Sequence, residues 1–511
     1  MERDVSRTVN ISPVTRIEGH LAIHTETEPV AGGHRVTSAR CEGEMFRGFE
    51  TILTGRDPLD AQQITQRICG VCPISHSIAS VRAQEMAYGI KPNRNGRLLQ
   101  NLVFAANYLQ SHVLHFYVLA ALDFVDVTAV LKYTGSSRAL RDLRRWVKAA
   151  LDRSDVFPAA PFLPRFEADY VKDVNVNWTL LAHYVEALEI RRLAHEMAAV
   201  FGAKLPHSTA IVPGGVTQAP TLERVLAYRT RLKEIGRFVE DVYVPDLVTA
   251  AQAFPSYWKI GGGCKDVLSY GAFEMDDAGA LRFPSGVVRG GVWAPLDIAH
   301  ITEEVRYSRF DSGTGLHPSR GETRPAPRKP DAYSWLKAPR YQGQPMEVGP
   351  LARVLVAYHS PDGQAVRTQV DALLKKLAVK PAQLHSVIGR HLCRGLEAQW
   401  LVAQAHQWLD ELELGAAPAK DFVICDRGEG HGLTEAPRGA LGHWLSVRNH
   451  QIERYQCVVP TTWNCSPRDD KDQPGPVEQA LTGVVIANPD HPIEPARVVR
   501  SFDPCIACAV H

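Results

Sequence analysis

Asp503-Pro504-Cys505-Ile506-Ala507-Cys508-Ala509-Val510-His511 closes the chain, and its counterpart lies far upstream, in Arg67-Ile68-Cys69-Gly70-Val71-Cys72-Pro73-Ile74-Ser75-His76. Each stretch contains Cys-x-x-Cys, a spacing that lets two thiolates converge on one soft metal ion. If all four share a site, the fold closes nearly the whole chain on itself. One such pair alone reads equally as a redox dithiol. Two pairs, the second preceded by Asp-Pro and followed by His, are more specific. On spacing alone, a structural zinc site of four cysteines stands as the alternative.

Outward from these motifs, composition sets the bounds. The 511 residues are 45% hydrophobic, enough for a large buried core. Net charge is +1, which gives no reason to expect nucleic acid or an anionic membrane as partner. The start, Met1-Glu2-Arg3-Asp4, is charged and lacks an apolar signal region. No apolar run reaches the roughly eighteen residues of a membrane span. The most apolar segment, Leu98 to Val127, carries Asn101, Gln110, His112, His115 and Asp123 and reads as a buried helix. Cys41, Cys264, Cys393, Cys425, Cys457 and Cys465 are scattered, as small buried residues are, and form no further cluster-binding motif.

Periodicity predicts strands at Val9-Asn10-Ile11 and Leu21-Ala22-Ile23-His24, with Arg16-Ile17-Glu18-Gly19-His20 between them. Glycine after an acid predicts a turn that fixes the Glu18 carboxylate, with a surface loop charge as the plain alternative. Residues 41 to 66 read as a short helix ending near Gly55, on which Glu50 alone would face solvent. His76 lies four residues after Cys72, on the same helical face, as a third ligand or a satisfied buried histidine. Four long helical patterns follow: Leu98 to Asp126, Val174 to Phe201, Leu222 to Phe254 and Pro381 to Leu412. All exceed the roughly 8–20 residues of ordinary globular helices. They predict a mainly α protein with α+β segments around a long-helix bundle core. Residues 255 to 350, rich in Gly and Pro, predict irregular structure with short strands. With no internal repeat or linker, the expectation is one intertwined domain over residues 1–511. Arg438, in Glu435-Ala436-Pro437-Arg438-Gly439-Ala440-Leu441-Gly442-His443-Trp444, would by default be a solvated loop arginine.

The two cysteine motifs, Arg67-x-Cys69-Gly70-x-Cys72-x-x-x-His76 and Asp503-Pro504-Cys505-x-x-Cys508-x-x-His511, resemble those of nickel-iron hydrogenase large subunits. The resemblance runs along nearly the whole chain, through Met45-Phe46-Arg47-Gly48-Phe49-Glu50, Tyr108 to Tyr117, Lys337-Ala338-Pro339-Arg340-Tyr341, Glu347 to Arg353 and Val459-Pro460-Thr461-Thr462-Trp463-Asn464. It departs at Val118, where a histidine is common. It implies heterolytic cleavage of dihydrogen at a nickel-iron centre whose iron carries carbon monoxide and cyanide. Cys69 and Cys505 would be terminal nickel ligands, and Cys72 and Cys508 bridges to iron. Glu18 would exchange protons with Cys505. Arg438 would face the open coordination position, with Asp503 beside the site. Pro437, Thr461 and His76 would contact the cofactor, Thr461 by its hydroxyl and His76 by a hydrogen bond to a bridging thiolate. Glu50, His511 and the backbone carbonyl of Cys457 would bind Mg2+. Val71 and Leu119 would narrow an apolar path for gas.

The resemblance also implies an iron-sulfur small subunit as partner, bearing the export signal for the pair. A periplasmic or membrane-associated location follows, with a cytochrome or membrane-anchored carrier beyond the partner and a cytoplasmic location as the alternative. Relatives are made with an extension after the last histidine, whereas this sequence stops at His511, as a mature form or a gene without the extension would. Several segments look closest to the selenium-containing branch, which has selenocysteine where this chain has Cys505. Either the relationship is to cysteine-only cousins or a selenocysteine has been written as cysteine. A dihydrogen-sensing regulatory subunit signalling to a kinase is the second reading. A respiratory-complex relative that has lost its metal is a third, against which all four cysteines stand.

Overall fold

Val9 and Ile11 turn inward from β1 (Arg7–Ile11), the strand that their alternation predicts. β1 pairs antiparallel with β2 (Leu21–Val30), and β2 with β3 (Gly33–Gly43). The short strand Val485–Ile486 adds to the free edge of β3, so this sheet joins both ends of the chain. The computed structural model describes residues 7–153, 162 and 165–511. Met1 to Asp4, whose charge was noted above, lie outside the described residues.

The helix expected over residues 41 to 66 is corrected. Val36, Ala39 and Cys41 carry the buried face of β3, so the strand runs on to Gly43. Two short helices follow, Phe49–Leu53 and Asp60–Gln66. Left-handed glycines, Gly48 at φ 73 and Gly55 at φ 80, bound the first of them.

The first cysteine pair opens α1 (Pro73–Tyr88). The long helical patterns appear as α2 (Arg94–Leu114), α3 (Val174–Gly202), α4 (Leu222–Phe238) and α5 (Val387–Asp410). Two of them run further than their α-helical parts. α2 continues through a π turn, His115–Ala120, and a 3-10 turn. α4 continues through the π turn Val239–Tyr243 into the helix Val244–Ala253. Asn93 caps α2 by accepting from the Gly96 amide, and Ser386 caps α5 by accepting from Gly389. α2 packs on α3 and α5, α3 on α4, and α5 on α4. Helix outweighs strand in a mixed α/β architecture. Among the described residues, no helix is long and apolar enough to cross a membrane.

Residues 255 to 350 hold short strands, as predicted, among them Val267–Ser269, Gly286–Arg289 and Ala338–Tyr341. The segments Lys337 to Tyr341 and Glu347 to Arg353 read as surface loop when taken alone, yet the structure buries them. The reason is ion pairing: Arg340 meets Asp469 at 2.6 Å, Glu347 meets Arg390 at 2.7 Å, and Arg353 meets Glu397 at 2.6 Å.

A three-stranded sheet, β4 (Arg427–Ala436), β5 (Gly439–Arg448) and β6 (Gln451–Val458), lies against α1. Gly428, Gly430 and Gly432 occupy alternate positions on one face of β4. A Cβ on them would stand 2.6, 2.0 and 1.8 Å from the carbonyl oxygens of Ala87, Ala83 and Ala79. Strand backbone therefore lies directly on helix backbone, which only glycine facing alanine permits. Because the offending atoms are backbone, Gly432→Ala is expected to lower stability by about 1–3 kcal/mol. A fall in the thermal unfolding midpoint checks this, and an unchanged midpoint contradicts it.

Candidate metal centre

Cys69 and Cys72 sit in the turn that leads into α1, with Cys72 at the helix N-cap and Pro73 in its first turn. Cys505 holds the same N-cap position on the short helix Ile506–Ala509, which carries Cys508. Both pairs thus lie on helix entries, where the turn aims the sulfurs forward.

The four sulfurs lie within 4.8 Å of one another and are buried. Cys69 Sγ is 3.4 Å from Cys505 Sγ, and Cys72 Sγ is 3.3 Å from Cys508 Sγ. These gaps are too wide for a disulfide, whose bond is about 2.05 Å. Burial pushes the Cys505 and Cys508 thiols well up, whereas hydrogen bonds from the other three sulfurs hold Cys69 well below its usual value. A cluster so placed can lose all its protons only if a cation joins it. The residues therefore fit a soft metal centre.

Glu18 is positioned by the chain end itself. The Ile506 amide donates to the Glu18 carbonyl at 2.8 Å, and the Glu18 amide donates to Pro504 at 3.3 Å. Glu18 Oε2 accepts from the Ala507 amide at 2.9 Å and from Cys505 Sγ at 3.1 Å. Gly19, at φ +82, has no room for a Cβ, which would lie 2.8 Å from the Ala507 nitrogen. The predicted turn is present, and it presses the carboxylate onto the cysteine loop. Burial, then the negative charge at Cys69, raises the Glu18 pKa.

Pro437 and Arg438 form the two-residue tip of the β4–β5 hairpin, since Ala436 pairs with Gly439. Arg438 is buried, which corrects the default of a solvated loop arginine. Its Nη2 donates to Asp503 Oδ1 at 3.0 Å, and its Nη1 to Ser111 Oγ at 3.5 Å. Burial alone would weaken the cation, but Asp503 and the cysteine sulfurs outweigh it and hold the guanidinium charged. Thr461 Oγ1 accepts from the Cys505 amide at 2.9 Å, leaving its own hydrogen to donate. His76 Nε2 stands 3.4 Å from Cys508 Sγ, and burial lowers its pKa to about 4, so the ring is neutral. Val71 and Leu119 are both partly buried.

Glu50, Cys457 and His511 gather into a second group, their ligand atoms within 4.8 Å of one another. The first helical segment turns Glu50 inward rather than to solvent. Glu50 Oε1 accepts from the Cys457 amide at 2.8 Å and lies 3.1 Å from His511 Nε2. His511 Nδ1 donates to the Cys508 carbonyl at 2.6 Å. Burial opposes charge on His511, but Glu50 outweighs it and raises the His511 pKa, so Nε2 turns a proton toward the carboxylate, the proton that a bound cation would displace. Burial opposes the charge on Glu50, but Lys337 and His511 hold its pKa down to about 2. Burial pushes the Cys457 thiol well up, so it is a poor donor to a hard cation.

Sequence reasoning missed the support of the hairpin tip. Arg353 donates to the carbonyls of Ala436 and Pro437 at 2.8 and 2.9 Å, while Glu397 and Glu435 hold its other edges. His112 completes the group, 3.1 Å from Glu397. The one signal available was an arginine at fixed distance from a Gly-Pro helix start, too common to single out.

Known proteins of similar sequence and structure identify the family. The model of the family described as nickel-dependent hydrogenase matches residues 47–511. The chain belongs to that family and is a hydrogenase large subunit. It is 43% identical to the periplasmic [NiFeSe] hydrogenase large subunit of Desulfomicrobium baculatum, over 98% of this chain and 94% of that one. It is 35% identical to the hydrogenase-2 large chain of Escherichia coli, over 99% and 97%. The solved Ni-Fe-Se hydrogenase of D. vulgaris Hildenborough matches with a TM-score of 0.87 at 42% identity, covering 99% of this chain and all of that one. These relatives are named as hydrogenases, so the enzyme reading stands and the sensing alternative gains no support.

Replacing any one of Cys69, Cys72, Cys505 or Cys508 by serine is expected to abolish nickel retention in the purified protein. Cys425→Ser, at a partly exposed cysteine outside the quartet, should retain nickel like the parent. Elemental analysis decides this, and nickel at parental level in a quartet variant contradicts it.

Proposed function

We propose that this chain cleaves dihydrogen heterolytically and reversibly, its four cysteines holding a nickel-iron centre whose iron carries carbon monoxide and cyanide. The observation that carries the reading is the convergence of four buried sulfurs from two distant Cys-x-x-Cys pairs beneath Arg438. When bound, the centre supplies the Lewis acidity that polarises a molecule with no charge or dipole of its own. Cys69 and Cys505 would hold nickel, and Cys72 and Cys508 would be shared with iron.

The remaining roles belong to the chain's own groups. Cys505 Sγ passes a proton to Glu18 Oε2, its hydrogen-bond partner, and the raised pKa of that carboxyl suits both taking the proton and giving it up. Arg438 keeps a fixed positive charge over the sulfurs, and Asp503 aims it. An arginine held this strongly charged acts as a cation rather than as a proton acceptor. Thr461 and the Pro437 turn offer polar contacts for cyanide, and His76 donates to Cys508. Glu50, His511 and the Cys457 carbonyl would hold Mg2+ through oxygen and nitrogen donors. Val71 and Leu119 narrow an apolar route for gas.

We read the four long helices as a bundle core and residues 1–511 as one intertwined domain. Electrons leave through an iron-sulfur small subunit, then a cytochrome or another membrane-anchored carrier. The pair works in the periplasm or at the membrane, exported on the partner's signal.

The test is dihydrogen-dependent dye reduction by the complex with its small subunit. Glu18→Gln keeps the shape but cannot carry a proton, so its rate should fall about 10²–10⁴-fold, the range for losing a general acid-base. The infrared bands of metal-bound carbon monoxide and cyanide should remain. Full activity in Glu18→Gln contradicts the proton role, and a parent complex without activity contradicts the function.

A further inference from the structure

Beside the alanines that meet β4, α1 carries a second stripe at four-residue spacing: His76, Ser80, Gln84 and Tyr88. The first three are buried, whereas Tyr88 reaches the surface and stacks on Phe422. His443 of β5 and Tyr455 of β6 face this stripe, both buried. His76 Nδ1 is 3.1 Å from His443 Nε2, and His443 Nδ1 is 2.8 Å from the Tyr455 hydroxyl. Ser80 stands beside the Tyr455 hydroxyl and opposes the rise that burial gives the phenol pKa. Gln84 Nε2 donates to Ser80 Oγ at 3.3 Å, and the Tyr88 hydroxyl donates to Gln84 Oε1 at 3.5 Å. With His76 Nε2 at 3.4 Å from Cys508 Sγ, six side chains make one polar file from a cysteine sulfur to the surface.

Each inner member of the file accepts at one end and donates at the other, so the file has only two senses. No carboxylate is hydrogen-bonded to either imidazole among the described residues, and burial disfavours a second proton on either ring. Cys508, read as a thiolate shared between two metals, has no hydrogen to give, so His76 Nε2–H is the donor. His76 Nδ1 then accepts from His443 Nε2–H, and His443 Nδ1 accepts from Tyr455. Tyr455 accepts from Ser80, and Ser80 from the Gln84 amide, which is the sense in which that amide stands. Hydroxyls and imidazoles can reverse by shifting hydrogens, but an amide must turn over. Hydrogen bonds in series also polarise one another and strengthen the last.

We propose that His443, Tyr455, Ser80 and Gln84 are positioning residues that lock His76 as an Nε2–H donor to Cys508, with the Gln84 amide fixing the polarity of the file. The role of the file is to draw electron density from one sulfur, not to conduct protons. The proposal rests on the reading of Cys508 as a metal-bound thiolate.

The experiment is infrared spectroscopy of the mature complex as parent, Gln84→Glu and Tyr455→Phe. A carboxylate at position 84 accepts from both Ser80 and Tyr88 and turns the Ser80 hydrogen away from Tyr455, and phenylalanine removes the donor to His443. The carbon monoxide and cyanide bands should persist in both variants and shift to lower wavenumber, because a His76 N–H that is less polarised is a weaker donor and leaves more electron density on the thiolate and the metals. Bands at parental wavenumbers in both variants overturn the file. Absence of bands from the parent instead overturns the metal-centre reading on which the file rests. Neutron diffraction from the parent gives a readout independent of folding in the variants. Deuterium on Nε2 of both imidazoles is expected, and deuterium on Nδ1 of either contradicts the proposal.

Discussion

Four cysteine sulfurs drawn together inside the protein cannot all be thiolates unless positive charge joins them, and much of the architecture follows from meeting that demand. The sulfurs come from opposite ends of the chain, so the demand cannot be met by a local loop. The N-terminal sheet accepts Val485–Ile486 as its edge strand, and the Glu18 turn clasps the loop from Pro504 to Ala507. These contacts bring the chain ends into register before any metal is considered. The rest of the site is a set of groups aimed at the same small volume.

Buried ion pairs provide the aim. Arg500 donates to the Thr15 carbonyl at 2.9 Å and to Asp123 at 2.7 Å, while Arg16 also pairs with Asp123. The residues just before Glu18 and just before Asp503 are thereby fixed to one carboxylate at the end of the first long helix. Arg353 does the same for the hairpin tip through the Ala436 and Pro437 carbonyls. Such pairs add little net stability, because desolvation offsets their attraction. Losing one partner is different, since it strands a buried charge at a cost of about 3–5 kcal/mol. Their effect here is geometric: they leave Arg438 and Glu18 one position each relative to the sulfurs. Asp503 itself takes a left-handed backbone, φ 57, which aspartate tolerates better than most side chains.

The cysteine quartet was legible in the sequence because covalent spacing within each pair already aims two donors. The Glu18 turn was legible for a similar local reason, Gly19 after the acid. The long helices were legible from periodicity, although the π turns after α2 and α4 were not, since an extra residue in a turn leaves no mark on composition. Arg438, Glu50 and His511 could be placed only through the family resemblance, because a loop arginine and a helical glutamate are solvated far more often than buried. The seat of β4 on α1 was hidden for another reason. Glycines at 428, 430 and 432 and alanines at 79, 83 and 87 each show a period, but nothing in one sequence says that the two periods meet. The Arg353 group and the file from Cys508 to Tyr88 were missed for the same cause, being contacts between distant segments.

The central claim is that both cysteine pairs close on one metal centre containing nickel and iron. X-ray absorption at the nickel edge of the mature complex tests it most directly. A sulfur-dominated nickel shell with an iron neighbour is the predicted result. A nickel shell of nitrogen and oxygen, or protein that carries zinc and no nickel, would contradict it.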